Sequence, residues 1–586
     1  MRKLLTGNEA IARGAWEAGV VVCTAYPGTP STEITENAAK YIEMYAEWSP
    51  NEKVALEVGL GASIGGGRAL VAMKHVGVNV AADPLFTLAY TGINAGLVLV
   101  SADDPGMHSS QNEQDNRHFG RAAKIPVLEP SNSQEAKDFT KLAFELSENF
   151  DTPVMLRITT RVAHSQSLVE LWPRQEVPLK KYEKNTQKYV MMPAFARSRH
   201  IVVESRLEKL KEYAETTSLN RIEWNHTKIG VITNGVTYQY VKEILPDASI
   251  LKLGMTFPLP RKLITDFSKK VDMLYVIEEL EPFIEEHIRS WGIETHGKDL
   301  FPVAGELLPG IIAEKMGALP HPRNVLSPAA DTLTNIPLRP PVMCPGCPHR
   351  GLFYILNKLK VTVTGDIGCY TLGAQIPLNA MDTTICMGAS IGTAIGMEKA
   401  RGKEFARNLV AVIGDSTFIH SGITGLIDVV YNKATTTTII LDNRTTAMTG
   451  HQDNPVTGFT VKGVATKEIN LLLLAKAVGV ERVVEIDPFD LNKLEQVIKE
   501  ELAAEEPSVI ITKRKCALIE KNKQTTPCIV SEEVCTGCLR CMKLGCPCII
   551  KKNKKVRIDT AQCVGCSLCV NVCTNAAIRK VGGTNV

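Results

Sequence analysis

Cysteine is the residue type that points most clearly to chemistry in this chain, because eleven of its sixteen cysteines lie between Cys516 and Cys573. Most of these eleven fall in two runs, CTGCLRCMKLGCPC at 535–548 and CVGCSLCVNVC at 563–573. Each run places three cysteines at C-x2-C-x2-C spacing with a further cysteine downstream, which is a ligand pattern of iron–sulfur clusters. The last part of the sequence therefore predicts an electron-transfer module.

The order of the cysteines assigns each of them to a cluster. In two-cluster ferredoxins the first three cysteines of a run bind one cluster and the last binds the other. One predicted [4Fe–4S] cluster is held by Cys535, Cys538, Cys541 and Cys573, and the second by Cys563, Cys566, Cys569 and Cys546. The first run has four residues before Cys546 instead of three, so Cys548 is an alternative ligand and Cys528 a spare.

A third group of cysteines lies upstream of these runs. CPGCPHRG supplies Cys344 and Cys347, GDIGC supplies Cys369, and Cys516 follows the last predicted strand of the same region. Four thiolates are enough for another [4Fe–4S] cluster. A zinc ion, or buried thiols without a metal, are the alternative interpretations.

Composition describes an ordinary soluble globular protein of several domains, with 44% hydrophobic and 22% charged residues. A net charge of +3 gives no indication of nucleic-acid binding. No run approaches the roughly 18 apolar residues that cross a bilayer. The opening MRKLLTGNEAIARG turns polar before an apolar signal core could form. We therefore expect a cytoplasmic protein with reduced cysteines, binding neither membrane nor nucleic acid.

Two polar residues end consecutive predicted strands in the third quarter of the sequence. VAVIGDSTF ends a strand at Asp415, and TTIILDNRTTAM ends the next at Asn443, 28 residues later. That separation allows one crossover helix, so both side chains are expected at the carboxyl ends of adjacent parallel strands, where α/β folds bind ligands. A carboxylate and an amide oxygen suit Mg²⁺, which also binds diphosphate oxygens. Two ordinary strand-end loops are the alternative.

The elements that must position these residues alternate between short apolar strands and helix-length segments, which predicts an α/β fold with parallel sheets. ALVAMKH, GLVLVSA and PVMLRIT predict buried strands, and SQEAKDFTKLAFELSEN predicts an amphipathic helix capped by Ser133. A second α/β region begins at Lys228 and a third at about Pro341. Residues 160–225 are polar and show no clear periodicity of apolar residues, which predicts a long connector. Residues 324–342 are rich in Pro, Ser and Thr, which predicts a linker.

The Asp415–Asn443 pair resembles the thiamine diphosphate motif, in which Gly-Asp-Gly is followed by Asn-Asn. The resemblance implies that Asp415, Asn443 and the backbone carbonyl of Thr445 bind Mg²⁺. Ser416 stands where the motif has glycine, and Asp442 where it has the first asparagine, while the ligand positions match. The further residues that the resemblance assigns to cofactor binding are Gly414, Ser416, Gly388 and His420.

AYPGTPSTEI at 25–34 resembles the YP-x-TPS signature of the 2-oxoacid:ferredoxin oxidoreductases, and implies that Thr29 lies near the substrate. Glu57 lies in the apolar, glycine-rich segment VALEVGLGASIGGGRALVAM, where a buried ionisable group is costly unless it has a partner. It matches the family glutamate that hydrogen-bonds the pyrimidine ring of the cofactor. Arg117, in MHSSQNEQDNRHFG, suits the substrate carboxylate. The alternative for Glu57 is a glutamate exposed on a helix turn, and the alternative for Arg117 is a loop arginine in water.

The whole chain resembles the α subunits of indolepyruvate:ferredoxin oxidoreductases. That resemblance implies a pyrimidine-binding α/β domain at 1–190 and a middle, transketolase C-terminal-like domain at 191–330. It also implies a diphosphate- and Mg²⁺-binding α/β domain at 340–520 and a ferredoxin-like two-cluster α+β domain at 525–586. Cys344, Cys347, Cys369 and Cys516 would then hold a [4Fe–4S] cluster close to the thiamine.

The implied reaction is thiamine-dependent oxidative decarboxylation of aryl pyruvates, such as indolepyruvate, with coenzyme A. It yields aryl-acetyl-CoA, CO₂ and reduced ferredoxin, and the implied partner is a smaller β subunit in an α₂β₂ assembly. Three alternatives stay open: another 2-oxoacid, a non-oxidative decarboxylase, and an electron-transfer subunit with a dead cofactor site. Residues 534–586 carry nine Lys and Arg and one acid, which either steer an acidic acceptor or only aid solubility.

Overall fold

The computed structural model describes residues 1–317, 340–520 and 526–582. The chain divides into two compact units, Met1–Ser327 and Pro328–Val586. Most of the predicted linker, 324–339, lies outside the described residues. No helix in the described ranges combines the length and the apolar character needed to cross a bilayer. The four domain boundaries and the cytoplasmic location stay predictions.

The first unit contains a seven-stranded sheet, a four-stranded sheet and a separate antiparallel pair of strands. Its strands are β1 (Arg2–Thr6), β2 (Val22–Ala25), β3 (Tyr45–Trp48), β4 (Ala69–Lys74), β5 (Leu97–Asp103), β6 (Val127–Leu128), β7 (Val154–Thr159), β8 (Gln166–Glu170), β9 (Arg221–Glu223), β10 (His226–Asn234), β11 (Ala248–Leu253), β12 (Met255–Phe257) and β13 (Met273–Ile277). The sheet orders are β12-β6-β7-β5-β4-β2-β3 and β13-β10-β11-β9, and β1 pairs with β8. All pairs within the two larger sheets are parallel except β12–β6 and β11–β9, so ligand-binding loops gather at one edge of each sheet.

Helices pack on these sheets and supply most of the remaining structure. Those of the first unit are Gly7–Glu17, Thr32–Ala38, Glu52–Ile64, His75–Val80, Ala82–Thr91, Arg117–Ala123, Ser133–Phe150, Thr160–His164, Thr186–Tyr189, Pro193–Thr216, Thr237–Ile244, Arg261–Ser268, Phe283–Ser290 and Pro309–Lys315. The α/β class predicted from the alternation of strands and helices is confirmed for this unit, whose central parallel strands β4, β5 and β7 are buried along their whole length.

Two local predictions are wrong. The helix Ser133–Phe150 is capped by Asn132, whose side chain accepts a hydrogen bond from the Glu135 N–H, and not by Ser133. The stretch 160–225 is not a bare connector, since it contains the 24-residue helix Pro193–Thr216. Only Val203, Arg206, Leu210 and Ala214 of that helix are buried. Four buried residues, one of them an arginine, give too weak a helical periodicity of apolar residues to be recognised in the sequence.

The second unit is built on a six-stranded sheet. The six strands of the sheet are β14 (Thr362–Gly365), β15 (Thr383–Thr384), β16 (Leu409–Gly414), β17 (Thr437–Asp442), β18 (Arg482–Ile486) and β19 (Ser508–Lys513). The tail adds β20 (Cys528–Val530), β21 (Ile549–Lys552), β22 (Lys555–Ile558) and β23 (Ile578–Lys580). The order β15-β14-β16-β17-β19-β18 is parallel throughout, as the sequence predicts for this region. Strands β20 and β23, and β21 and β22, form two small antiparallel pairs.

The helices of the second unit frame both the sheet and the cysteine-rich tail. They are His349–Leu359, Ala389–Arg401, Lys403–Ala406, Asp415–Thr417, Ile423–Tyr431, Leu471–Ala477, Leu491–Leu502 and Leu568–Val572, with 3₁₀ turns at Cys369–Ala374 and Arg540–Leu544 and a π-helical turn at Phe418–Gly422. One hydrophobic core joins Leu352 and Phe353 of the first helix to Leu544 and Ile578 of the tail. The tail therefore packs against the sheet domain instead of hanging from it as a separate module.

Candidate functional site

Asp415 and Asn443 emerge at the same edge of the six-stranded sheet. Strands β16 and β17 are parallel, with Gly414 opposite Leu441, so the residues that follow each strand lie side by side. The backbone N–H of Arg444 donates to the Asp415 Oδ2 at 3.0 Å and to the Asp442 Oδ1 at 3.2 Å. The loop that carries Asn443 and Thr445 is thereby tied to the Asp415 carboxylate, as the spacing predicts.

This edge concentrates buried negative charge. Asp415 and Asp442 are both buried. Burial, and then the nearby Asp442 carboxylate, raise the pKa of Asp415 to about 8. Burial likewise raises the pKa of Asp442, which Arg444 partly offsets. Two carboxylates in a water-poor site repel each other, and a divalent cation is the group that relieves such repulsion.

The Asn443 side chain is held by a residue outside the two motif strands. Its Nδ2 lies 3.3 Å from the Nε2 of His349, and both side chains are buried. Burial lowers the pKa of His349 to about 4, so the ring is neutral near pH 7 and its Nε2 accepts the amide proton. The Asn443 Oδ1 accepts one hydrogen bond, from the Thr445 N–H at 3.2 Å. Its second lone pair remains available for a cation.

The remaining motif residues line the same edge. His420 is buried in the π-helical turn that follows Asp415, and its Nδ1 lies 2.8 Å from the Ser421 Oγ. Ser421 in turn donates to the Met387 carbonyl at 2.9 Å. Gly388 has φ +86°, and a Cβ there would come within 2.4 Å of the Ser421 Oγ. Only glycine fits this close approach, which explains why a glycine precedes the helix Ala389–Arg401.

The donor set at this edge fits a diphosphate-bound magnesium ion. It offers a buried carboxylate, a fixed amide oxygen and the backbone carbonyls of a tight loop, which are hard oxygen ligands of the kind that Mg²⁺ prefers. Ser416, where the motif has glycine, is buried, and its Oγ accepts from the Thr446 Oγ1 at 3.0 Å. The substitution is therefore absorbed by a hydrogen bond within the loop, and Asp415 is undisturbed.

Cys344, Cys347, Cys369 and Cys516, here called the proximal cysteine set, lie close together beside this loop. Burial raises the pKa of the Cys347 thiol to about 12, and the charges of Cys344 and Cys369 contribute. Burial raises the pKa of Cys369 to about 11, with a contribution from Cys516. The Cys516 N–H donates to the Asn443 carbonyl at 3.0 Å. The set therefore adjoins the magnesium-ligand candidate directly.

Cys535, Cys538, Cys541 and Cys573, here called the outer cysteine set, line a single cavity of the tail. These are the four residues that the ferredoxin pattern groups together, although Cys573 comes from the second run. The Ala577 N–H points to the Cys573 Sγ at 3.3 Å, a contact of the kind that stabilises cluster thiolates. Cys538 is exposed, so this cavity opens at the protein surface.

A second cavity of the tail holds the inner cysteine set, Cys546, Cys563, Cys566 and Cys569. Cys528 and Cys548 line the same cavity, so six thiols surround a space that needs four ligands. The Cys528 N–H donates to the Cys563 Sγ at 3.3 Å. Pro345, Gly346 and Arg350 also line it. The structure gathers both candidate fourth ligands, and the choice of Cys546 stays a prediction.

Among the described residues, no group of three or more His, Cys, Asp or Glu side chains is arranged to hold a single metal ion. This finding leaves the zinc alternative at the proximal set untested. It does not bear on a [4Fe–4S] cluster, whose four thiolates bind four separate iron atoms at the corners of a cube and do not converge on one point.

In the first unit, Thr29 lies in the loop that follows β2, at the carboxyl end of the seven-stranded sheet. Its carbonyl accepts from the Ser109 Oγ at 3.3 Å. Lys74, at the end of β4, lies beside the same loop, because a Cβ on Gly28 would be 3.0 Å from the Lys74 Cβ. The Lys74 Nζ donates to the Ser109 carbonyl at 2.6 Å. Sequence analysis missed Lys74, although its position after a buried strand beside YPGTPS is a usable signal.

Glu57 is exposed in the first unit, contrary to the buried setting that its apolar sequence neighbourhood suggests. Its side chain keeps 43% of its surface and pairs with Lys53 one helical turn earlier. The helix Glu52–Ile64 buries Ala55, Leu56 and Gly59 instead. This placement removes the argument from burial, and the assignment of Glu57 to the pyrimidine ring stays a prediction from resemblance.

Arg117 is fully buried in a charge network of the first unit. Its guanidinium contacts Asp115 through two nitrogens and donates to Glu278 at 2.5 Å and to the Glu279 and Glu281 carbonyls at 3.1 Å. This set of partners favours an internal structural role over both a loop arginine in water and a substrate contact. Removing one partner of such a network leaves buried charge uncompensated.

Two family models and several known proteins are similar to this chain. The family model described as pyruvate flavodoxin/ferredoxin oxidoreductase, thiamine diphosphate-binding, matches residues 13–228. The model described as thiamine pyrophosphate enzyme, C-terminal TPP binding domain, matches residues 366–512. Three similar relatives carry the description indolepyruvate oxidoreductase subunit IorA. They come from Archaeoglobus fulgidus (42% identical, 98% of this chain and 97% of that one), Pyrococcus horikoshii (42%, 99% and 97%) and Methanothermobacter marburgensis (40%, 99% and 98%).

Proposed function

Because the chain belongs to the IorA family of indolepyruvate oxidoreductase subunits, we propose that it oxidatively decarboxylates aryl pyruvates with coenzyme A. The chain is a 2-oxoacid:ferredoxin oxidoreductase. The aryl substrate is supported by the description of its relatives, and the coenzyme A acceptor by the resemblance of its motifs. Its products are then an aryl-acetyl-CoA, CO₂ and reduced ferredoxin.

The observation that carries this proposal is the loop at the carboxyl ends of β16 and β17. In this loop the Asp415 carboxylate accepts from the Arg444 N–H, and the Asn443 side-chain oxygen accepts from the Thr445 N–H. The loop lies within the matched thiamine pyrophosphate domain. We propose that these three residues bind Mg²⁺ and so hold the cofactor diphosphate. Thiamine diphosphate supplies the electron sink that lets CO₂ leave a 2-oxoacid. Gly388 and His420 would shape the surrounding pocket.

The residues of the chain contribute positioning and charge to this chemistry. His349 fixes the amide of Asn443, so that its oxygen needs no rearrangement to meet a cation. In the first unit, Glu57 is proposed to hydrogen-bond the pyrimidine ring, and its exposed carboxylate is accessible for that contact. Thr29 is proposed to lie near the substrate, in a loop whose shape Ser109 and Lys74 support.

Three [4Fe–4S] clusters are proposed to carry the electrons away. The three cysteine sets support them, since each set is gathered in one place and none of the sixteen cysteines forms a disulfide. The contact between Cys516 and Asn443 supports a proximal cluster beside the thiamine. A tail with two cysteine-lined cavities also favours an oxidative enzyme over a decarboxylase that stops at the aldehyde.

The word subunit in the descriptions of the relatives supports a partner chain. We propose a smaller β subunit in an α₂β₂ assembly and a ferredoxin as electron acceptor. The full reaction is therefore to be measured with both chains present.

One anaerobic assay tests the proposal. The protein and its partner subunit are incubated with thiamine diphosphate, Mg²⁺, coenzyme A and one of several 2-oxoacids, and ferredoxin reduction is followed. We expect indolepyruvate and phenylpyruvate to be consumed with a kcat/KM well above that of pyruvate or 2-oxoglutarate. Asp415→Ala is expected to abolish turnover with every substrate.

The alternatives give different results in the same assay. Aldehyde formation without reduction of ferredoxin indicates a non-oxidative decarboxylase. A preference for pyruvate or 2-oxoglutarate indicates another 2-oxoacid. No turnover with any 2-oxoacid, in a preparation with full iron content, indicates an electron-transfer subunit.

A further inference from the structure

We propose that the β21–β22 hairpin of the tail is the docking surface for the acidic ferredoxin that accepts the electrons. This inference rests on the proposed function, because it takes the outer cysteine set to hold the last cluster before the acceptor. The occupant is a one-electron carrier protein with a negatively charged surface. Its recognition would come from the positive charge of Lys552, Lys554 and Arg557, all of them exposed.

The hairpin presents its two faces to different surroundings. Lys552 pairs with Lys555 across the strands, and Ile550 with Arg557, so Lys552, Lys555 and Arg557 share one face. Lys554 lies in the turn at the end of that face, and Lys555 already donates to a backbone carbonyl. Val556 points to the opposite face, where it is buried and lines the cavity of the outer cysteine set. The cationic face therefore lies directly over the cavity that would hold the outer cluster, separated from it by the thickness of one hairpin.

The hairpin is also fastened to the loop that carries the outer cysteines. Gly537, between Cys535 and Cys538, has φ +74°, and a Cβ on it would come 2.2 Å from the Lys554 carbonyl. The Lys555 Nζ donates to the Glu532 carbonyl just before Cys535. With Cys538 exposed at this point, a protein seated on the hairpin turn would contact the cluster-bearing loop, which is where electron transfer requires a short distance.

The charge of this surface is not neutralised within the described part of the chain. No ion pair there involves Lys552, Lys554 or Arg557, and residues 526–582 carry nine Lys and Arg against three Asp and Glu. Two lysines directly opposite each other across an antiparallel pair destabilise it. Lysines that served only solubility could be placed without that repulsion, whereas a steering surface gains from concentrated charge of one sign.

The proposal is tested on the assembled enzyme with a triple variant, Lys552→Glu, Lys554→Glu and Arg557→Glu. Reduction of an acidic two-cluster ferredoxin is compared with reduction of methyl viologen, a small cation that needs no docking surface. We expect kcat/KM for ferredoxin at low ionic strength to fall by about tenfold or more. Viologen reduction should stay the same or rise. The salt dependence of the ferredoxin reaction should also flatten, because fewer charges remain to be screened.

The matched control reverses three exposed lysines of the first unit, Lys209, Lys262 and Lys269, which changes the net charge by the same amount. It should leave ferredoxin reduction within about twofold of the parent, because these lysines belong to the other unit and are not part of the proposed docking surface. A fall equal to that of the hairpin variant would show that net charge alone matters and would overturn the proposal.

Three other results overturn it as well. Unchanged ferredoxin reduction in the hairpin variant removes the surface from the reaction. Loss of the smaller subunit on size exclusion assigns the hairpin to subunit assembly instead. Equal loss of viologen and ferredoxin reduction, repeated in the milder variant with Gln at the three positions, assigns it to cluster retention. Failure of the proposed function itself is distinct, because the unmodified enzyme would then reduce neither acceptor.

Discussion

Lys74 is the residue that the structure adds most clearly to the first unit, and its charge is predicted to bind the carboxylate of the 2-oxoacid. It lies beside the YPGTPS loop with Asp104 as its nearby charged neighbour. Burial lowers the pKa of Lys74 to about 8, and Asp104 opposes that shift. Replacing it by methionine removes a charge-assisted hydrogen bond of about 1.5–3 kcal/mol, so we expect KM to rise roughly 10- to 100-fold with little change in kcat.

The same lysine predicts a pH dependence whose sign follows from its pKa. The ammonium form is present below pH 8 and is lost as the pH rises through about 8, while the substrate carboxylate stays ionised. KM of the unmodified enzyme should therefore rise above pH 8, and KM of Lys74→Met should not. Lys74→Arg, which keeps its charge, should move the rise to higher pH. Identical KM profiles for all three proteins would remove Lys74 from substrate binding.

His349 is predicted to position a magnesium ligand without touching the metal. His349→Phe keeps the ring shape but removes the acceptor of the Asn443 amide, a bond of about 1 kcal/mol. We expect roughly fivefold to tenfold weaker Mg²⁺ binding, measured by titration calorimetry with thiamine diphosphate present, and an unchanged iron content. His349→Gln restores an acceptor and should recover most of the affinity. Unaltered Mg²⁺ binding in the phenylalanine variant would contradict this role.

At this scale, the sequence predicts residues whose role depends on local spacing and misses those that act across the fold. Asp415 and Asn443 were predictable because two strands and one crossover bring them to a common edge. His349 was not, because its contact with Asn443 joins residues 94 positions apart. The setting of Glu57 was misjudged for a related reason: apolar neighbours in sequence occupy other faces of its helix.

Among the elements, one buried arginine adds hydrogen bonds to the hydrophobic core that joins the tail to the sheet domain. Arg350 donates to the Leu544 carbonyl at 2.7 Å, and to the Met343 and Cys344 carbonyls at 2.6 and 3.0 Å. Arg350→Met leaves these carbonyls without their donor, and we expect the second unit to lose about 3 kcal/mol of unfolding free energy. The readout is the denaturant midpoint, together with proteolysis near residues 540–548.

An exposed arginine of the same unit provides the control for that variant. Arg407 pairs with Glu505 at the surface, and such exposed pairs contribute about 0–1 kcal/mol. Arg407→Met should therefore leave the midpoint nearly unchanged. Equal stability of the two variants would show that Arg350 does not hold the tail in place.

The loop after Cys541 decides which thiol completes the inner set. Cys546 affects the pKa values of Cys566 and Cys569, whereas Cys548 has Cys546 and Cys563 as its thiol neighbours. We expect Cys546→Ala to lose about one iron and to show the electron paramagnetic resonance signal of a [3Fe–4S] cluster. Cys548→Ala should keep all its iron. An unchanged count in Cys546→Ala together with a loss of iron in Cys548→Ala would instead identify Cys548 as the ligand, and an unchanged count in both variants would point to Cys528.

Secondary structure was predicted correctly for strands that are buried on both faces, and it was missed for a helix that buries only a few residues. Strands β5 and β17 are buried along their whole length, and the apolar residues that this burial requires, LVLV and IIL, made them recognisable. The helix Pro193–Thr216 lies against the first unit by four buried residues only, so its sequence reads as polar. The capping error at Asn132 is of a different kind, since either of two adjacent polar residues could have supplied the cap.

For the whole molecule, the contacts of the second unit order the three cysteine sets into a path for electrons. Gly346, between Cys344 and Cys347, lies against Cys566 of the inner set. Cys546 of the first run belongs to the inner set, and Cys573 of the second run belongs to the outer set. Each run therefore contributes to both sets, which keeps the two sets next to each other. The predicted order is proximal, inner, outer, and roughly twelve irons per chain are expected.

This order predicts different losses when single sets are broken. Cys538→Ala damages the outer set, so ferredoxin reduction should fall steeply while methyl viologen, which can accept electrons from earlier clusters, is still reduced. Cys369→Ala damages the proximal set, and because every electron leaves the cofactor through it, reduction of both acceptors should fall together. Cys386→Ala, an exposed cysteine outside all three sets, should retain both activities and all its iron. If Cys538→Ala lost viologen and ferredoxin reduction equally, with the other clusters intact, electrons would leave the inner set only through the outer one. The dye would then share the exit used by the protein acceptor.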